Sequence, residues 1–308
     1  MNGDRPIPTL EGIPPIPCTE ECLLRPGNTN CGGCGMGVGL TMLGRALAEA
    51  GDTCTLVIPA CCGIVTAGAY PTTGYGVPTI ATTFASSPAV ASGVASIRDL
   101  NGEPGQVICW AGDGGTYDIG LATLSGAAER NENIIYICYD NEIYGNTGGQ
   151  RSSATPVGAR TTTTRRGKTE AKKDIMSIMT AHRIPYAATL SIAHPDDFAQ
   201  KISNALSIEG MRFLLLHSPC PTGWKSDPAD SVALVRLAVA SGLFPLYEVY
   251  DGATYRINVG PDRTDPAEYF HRQRRFEDDE IDLDATRHAC SDRIQRLRAL
   301  AEQYPADK

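Results

Sequence analysis

Short apolar runs recur along the chain, and the segments between them carry apolar residues at helical spacing. Residues 55–58 (TLVI), 107–110 (VICW), 133–140 (NIIYICYD), 186–190 and 213–217 read as strands. Their apolar character is nearly continuous, as it is in strands buried on both faces. Helical spacing is found over 37–50, closed by Gly51, and over 88–100, 117–130, 173–182 and 195–206. This alternation predicts an α/β fold, a mostly parallel sheet with helices on both faces. Past Trp224 the strand pattern fades. Residues 231–241 and 284–303 look helical, and 256–275 are charged and irregular. Three parts are expected: an extended arm over 1–30, a main domain over 31–225, and an extension over 226–308 that packs on partner subunits.

Composition narrows the function. The 308 residues are 42% hydrophobic and 20% charged, with a net charge of −8. A broad nucleic-acid footprint is disfavoured, and a basic protein partner fits better. No apolar stretch is long enough to span a bilayer. The N-terminus is proline-rich without a basic-then-apolar signal, which points to the cytoplasm. There are eleven cysteines, and in a reducing compartment metal ligation or burial explains them better than disulfides. Cys54, Cys109, Cys138 and Cys290 lie in apolar or helical surroundings and read as buried hydrophobes.

Two strand ends carry unusual chemistry. After 107–110 the chain continues as Gly112-Asp113-Gly114-Gly115, where a sheet of this kind binds ligands and offers anions the next helix N-terminus. Glycines let a phosphate approach the backbone, and Asp113 supplies a hard oxygen for Mg²⁺. No GK[ST] and no GxGxxG accompany it, so triphosphate and dinucleotide chemistry are disfavoured. The next strand ends at Asn141, whose amide oxygen and the Ile143 carbonyl could join the same metal. One GDG alone would be an ordinary turn. Paired with a polar Asn one strand later, it is much less often accidental. Residues 141–171 are rich in Gly, Thr, Ser and Arg and show no period, as functional loops often do.

The pair GDG…DN resembles the diphosphate-binding motif of thiamine diphosphate enzymes. The run YDNEIYGNTGGQRSSATPVGARTTTT is similar to the β subunit of the 2-oxoacid:ferredoxin oxidoreductases, nearest the pyruvate synthase type. The likeness spans about Cys31 to Lys225. It implies Asp113, Asn141 and the Ile143 carbonyl on Mg²⁺, and Gly112, Gly114 and Gly115 against the diphosphate. Tyr144 and Gly145 would line the cofactor, with Asn146 and Thr147 near the reactive thiazolium as the catalytic pair. It also implies ferredoxin as electron acceptor, a small carboxylic-acid substrate, and partner subunits. One of these would supply the glutamate that activates the aminopyrimidine, and one would carry ferredoxin-like clusters.

The cysteines add a second constellation. CGGCG places Cys31 and Cys34 at CxxC spacing, which alone could bind zinc, act as a redox pair or do nothing. Cys62 and Cys220 each follow a predicted strand, and four thiolates at one sheet edge suit a [4Fe–4S] cluster. The resemblance points to the same four. Cys61 adjoins Cys62 and competes with it for the role, whereas Cys18 and Cys22 read as a local N-terminal feature.

The resulting expectation is a thiamine diphosphate-, Mg²⁺- and [4Fe–4S]-binding β subunit that oxidatively decarboxylates pyruvate or a similar 2-oxoacid. Two other readings compete: a non-catalytic scaffold stapled by zinc, and a non-redox thiamine decarboxylase, which leaves the cysteines without a purpose. For the substrate, Arg160 and Arg165 beside a run of threonines, together with the altered stretch 70–78, make oxalate the named rival. Guanidinium forks favour carboxylates.

Overall fold

The computed structural model describes residues 22–68, 73–262, 264–277 and 281–303. Six parallel strands form the centre of one sheet: β1 (Cys54–Pro59), β2 (Thr79–Thr82), β3 (Gln106–Gly112), β4 (Ile135–Asp140), β5 (Tyr186–Ser191) and β6 (Arg212–His217). Two further strands, β7 (Leu246–Tyr250) and β8 (Thr254–Val259), extend it antiparallel, giving the order β2-β1-β3-β4-β6-β5-β7-β8. The chain leaves β1 towards one edge and β3 towards the other. The adjacent carboxyl ends of these two strands therefore flank a crevice where α/β sheets bind ligands.

Alternation within the strands sorts side chains between the two faces. Val107, Cys109 and Ala111 of β3 join one apolar cluster, and Ile108 and Trp110 join the other. On the second face lie α1 (Gly35–Ala50) and α6 (Pro195–Ser207), which bury Leu40, Leu43, Phe198 and Ile202. On the first lie α3 (Ser87–Asn101), α4 (Leu121–Glu129), α5 (Ile175–Ala181) and α8 (Ser231–Ala240). Local chemistry sets their ends. Gly51 closes α1 at φ 65°, and Pro195 opens α6 with Asp196 and Asp197 in its first turn. Short helices α2 (Cys62–Ala67), α7 (Pro221–Trp224) and α9 (Ala267–His271) and the terminal α10 (Leu283–Gln303) complete the set.

The structure departs from the sequence expectation in three places, the first being the unanticipated edge strand β2. Residues 117–130 are not one helix: a π-helical turn, Gly114–Asp118, precedes α4. Nor does the sheet end near Trp224, because β7 pairs with β5 and β8 with β7, so part of 226–308 belongs to the same sheet. Glu248, in the middle of β7, breaks the apolar pattern there. It is buried and accepts hydrogen bonds from Tyr186, Tyr250, Asn204 and Asn258. Most of the expected arm over 1–30, including Cys18, lies outside the described residues, as does 70–72 of the altered stretch.

Candidate active site

β3 delivers Asp113 into the interior, where it is 2% exposed. The wider π turn that follows is a geometry frequent at functional sites. Ser152 donates to Asp113 Oδ2. Burial, and then the charge of neighbouring Asp140, push the Asp113 pKa well above the usual carboxylate range, against the Ser152 hydrogen bond and Lys172. Asn141 and Ile143, on the turn after β4, are buried as well. The Asn141 side-chain oxygen accepts from Ile143 N at 3.2 Å, and the Ile143 carbonyl accepts from Gly145 N at 2.9 Å. Each of these oxygens keeps a lone pair. A buried carboxylate with one hydroxyl partner, and two buried neutral oxygens on the turn after the adjacent strand, are hard oxygen donors of the type Mg²⁺ takes.

The glycines turn out to accommodate aromatic rings. A Cβ on Gly114 would overlap the Tyr144 ring, one on Gly112 would lie 3.2 Å from Tyr139, and one on Gly115 would lie 3.3 Å from Phe84. Tyr144 is fixed by its hydroxyl, which donates to Asp118 at 2.7 Å, and by an edge contact with Phe84. Asn146 and Thr147 occupy the exposed tip of the loop. There Gln150 Nε2 donates to the Thr147 carbonyl at 2.7 Å, and the loop is closed by Tyr144 N to Gln150 O at 3.0 Å.

Behind the turn lies a buried charge network that the sequence reading missed. Lys172 Nζ bridges Asp140 at 2.6 Å and Glu142 at 2.9 Å, and Arg275 pairs with Glu142 at 2.6 Å. Tyr117 donates to Asp140 at 2.8 Å. Burial works to raise the Glu142 pKa, but Lys172, Arg275 and His217 together hold it down at about 2. Arg275 stacks on Trp224 at 4.2 Å, and the Trp224 indole N–H donates to the Asn141 carbonyl at 2.7 Å. Only "DNE" hinted at this, since the partners of Glu142 come from distant segments.

The predicted cysteines gather at the same sheet edge. The Cys31–Cys34 loop meets the β6 end through Gly35 N donating to Pro219 O at 2.9 Å. A Cβ on Gly145 would lie 3.7 Å from Cys220 Sγ and 3.8 Å from Cys62 Sγ, so both thiols face the cofactor turn. Burial pushes the Cys62 thiol up to about 12, with Cys220, Cys61, Cys34 and Cys31 adding to the effect. Burial likewise lifts Cys220 to about 11. Cys61 points elsewhere: it leaves β1 in extended geometry, and its thiol is buried against Tyr139. Among the described residues, no group of three or more His, Cys, Asp or Glu side chains is arranged to hold a metal ion. Cys62 and Cys220 both approach Gly145, and the charges of Cys34 and Cys31 are felt at Cys220. Arg160 pairs with Glu277, and Arg165 lies exposed on the surface.

Comparison with known proteins identifies the family. The family model for the thiamine pyrophosphate enzyme C-terminal TPP binding domain matches residues 60–217. The chain is 46% identical to pyruvate synthase subunit PorB of Methanothermobacter marburgensis, over 83% of this chain and 90% of that one. It is 43% identical to ketoisovalerate oxidoreductase subunit VorB of Pyrococcus horikoshii, over 90% and 93% respectively. The solved 2-oxoglutarate:ferredoxin oxidoreductase of Magnetococcus marinus shares the fold, at TM-score 0.62 and 21% identity, covering 89% of this chain and 96% of that one. Among the described residues no helix is long and apolar enough to cross a membrane. Relatives that are oxidoreductase subunits set aside both the zinc-stapled scaffold and the non-redox decarboxylase. The chain belongs to the 2-oxoacid:ferredoxin oxidoreductase family, as a thiamine diphosphate-dependent β subunit of the pyruvate and ketoisovalerate type.

Proposed function

We propose that this chain holds thiamine diphosphate, Mg²⁺ and one [4Fe–4S] cluster within a cytoplasmic complex that oxidatively decarboxylates pyruvate or a similar small 2-oxoacid and passes electrons to ferredoxin. The observation that carries the reading is Gly145. It belongs to the turn that bears Asn141, Ile143 and Asn146, and the Cys62 and Cys220 thiols lie against it. A metal cluster there would adjoin the cofactor directly. Bound thiamine diphosphate supplies an electron sink for loss of CO₂.

The chain's own residues bind and orient. Asp113, Asn141 and the Ile143 carbonyl would hold Mg²⁺, and ionised Asp113 would gain the cation that its burial calls for. Gly112, Gly114 and Gly115 would leave room beside the diphosphate, and Tyr144 would wall it. Asn146 and Thr147, exposed at the loop tip, can reach a substrate bound at an interface. Cys31, Cys34, Cys62 and Cys220 would hold iron. The activating glutamate would come from a partner subunit, and another partner would carry the onward clusters. Oxalate is the weaker substrate, because Glu277 already neutralises Arg160.

Anaerobic purification of the complex tests this. Turnover of pyruvate or 2-oxoisovalerate with ferredoxin, alongside brown absorption from this chain, is expected. Colourless protein, or turnover of oxalate alone, would refute it.

A further inference from the structure

Glu142 stands between the two residues proposed as neutral Mg²⁺ ligands, and its backbone is left-handed at φ 62°. That conformation is strained for any residue with a Cβ, and it sits in the tight turn in which Ile143 N donates to the Asn141 side-chain oxygen at 3.2 Å. Four contacts hold it, one of them Thr155 Oγ1 donating to the Glu142 carbonyl at 2.7 Å. Glu142 N donates to Asp140 Oδ1 at 3.2 Å, Lys172 pairs with one carboxylate oxygen, and Arg275 pairs with the other. Arg275 is 1% exposed and comes from the segment after β8. It touches the same turn a second way, stacking on Trp224, whose indole N–H holds the Asn141 carbonyl. Its own carbonyl accepts from Arg160 N at 2.7 Å, which ties in the loop that follows the turn.

We infer that Arg275 is a positioning residue for the metal-diphosphate turn: by clamping Glu142 and Trp224 it fixes the left-handed backbone that presents Asn141 and Ile143 together. The inference rests on the cofactor assignment above. It extends that assignment by giving the C-terminal segment a part in cofactor binding.

The test is equilibrium dialysis of thiamine diphosphate against the intact complex, stripped of cofactor, over a Mg²⁺ titration. Arg275→Ala is expected to raise the Mg²⁺ concentration for half-maximal binding about tenfold, the order set by one strained left-handed residue. Adding Glu142→Gly should bring that midpoint most of the way back, because glycine adopts the conformation freely and leaves no unpaired carboxylate. A purely structural role for Arg275 would not be rescued in this way. An unchanged midpoint in Arg275→Ala, or no recovery in the double variant, overturns the inference. If Arg275→Ala does not fold, Glu142→Gln replaces it; there a raised midpoint supports the inference and an unchanged one overturns it. Wild-type complex that binds no thiamine diphosphate at any Mg²⁺ concentration would instead sink the cofactor assignment, and this inference with it.

Discussion

Replacing Lys172 with methionine would leave two buried carboxylates to share one cation. Asp140 is fully buried and Glu142 nearly so, and Lys172 approaches them at 2.6 and 2.9 Å while its own side chain is 28% exposed. After the substitution Arg275 still answers Glu142, and Tyr117 still donates to Asp140. One charge is therefore stranded. Removing one partner of a buried pair costs roughly 3–5 kcal/mol, and the partial exposure of Lys172 argues for the lower end, about 3 kcal/mol. The loss should depend on pH. Burial already raises the Asp140 pKa against the pull of Lys172, and without Lys172 it rises further. The folded chain then keeps a proton that the unfolded chain releases, so the variant's stability falls as pH rises from the ordinary Asp value of about 4 through the folded value. Urea unfolding followed by the fluorescence of Trp110 and Trp224, at about pH 5.5 and about pH 8, should show a larger deficit at the higher pH. A deficit below about 1 kcal/mol, or one equal at both pH values, would refute the stranded charge.

Asp113→Ala should abolish Mg²⁺-dependent binding of thiamine diphosphate while circular dichroism stays unchanged, and Asn141→Ala should weaken it less because water can replace a neutral ligand; retained affinity in the Asp113 variant counts against the site. Wild-type chain purified anaerobically should carry about four iron atoms. Cys62→Ser should lower that number and Cys61→Ser should not, as iron analysis would show; the reverse pattern would exchange their roles. Gly114→Ala forces a Cβ into the Tyr144 ring, for which overpacking predicts a loss of about 1–3 kcal/mol in the same urea assay. Removing the ring as well, with Tyr144→Ala, should recover part of that loss.

The central sheet was legible because its strands are uniformly apolar, and every strand anticipated from that pattern is present within one or two residues of its expected ends. The β7–β8 hairpin was not, although Asp251 and Gly252 carry its signal. Both have positive φ, as a primed hairpin turn requires, and Asp-Gly is a strong marker for one. The buried Glu248 hid the apolar strand around it. Asp113, Asn141, Cys62 and Cys220 each lie just past a strand that the apolar pattern marks, whereas Cys31 and Cys34 precede α1 and were singled out by their spacing alone. The network behind them could not be read. Lys172 lies 30 residues from Glu142 and Arg275 lies 133 away, and neither sits in any local pattern. The glycines were read as room for a ligand, and the structure fills part of that room with Tyr144.

The meeting of Cys31 and Cys34 with Cys220 also sets an order of events. Ser231 Oγ holds the Gly33 carbonyl across 198 residues of sequence, and Gly35 is pressed against Pro219 so closely that a side chain there would collide with it. The first two thiols leave the ribosome long before the segment that fixes their loop. They reach their places only when β1, β3, β4 and β6 have aligned and α8 has docked, the kind of distant pairing that makes folding slow. The Cys31–Cys34 loop thus rests on contacts that only the completed sheet and α8 can offer.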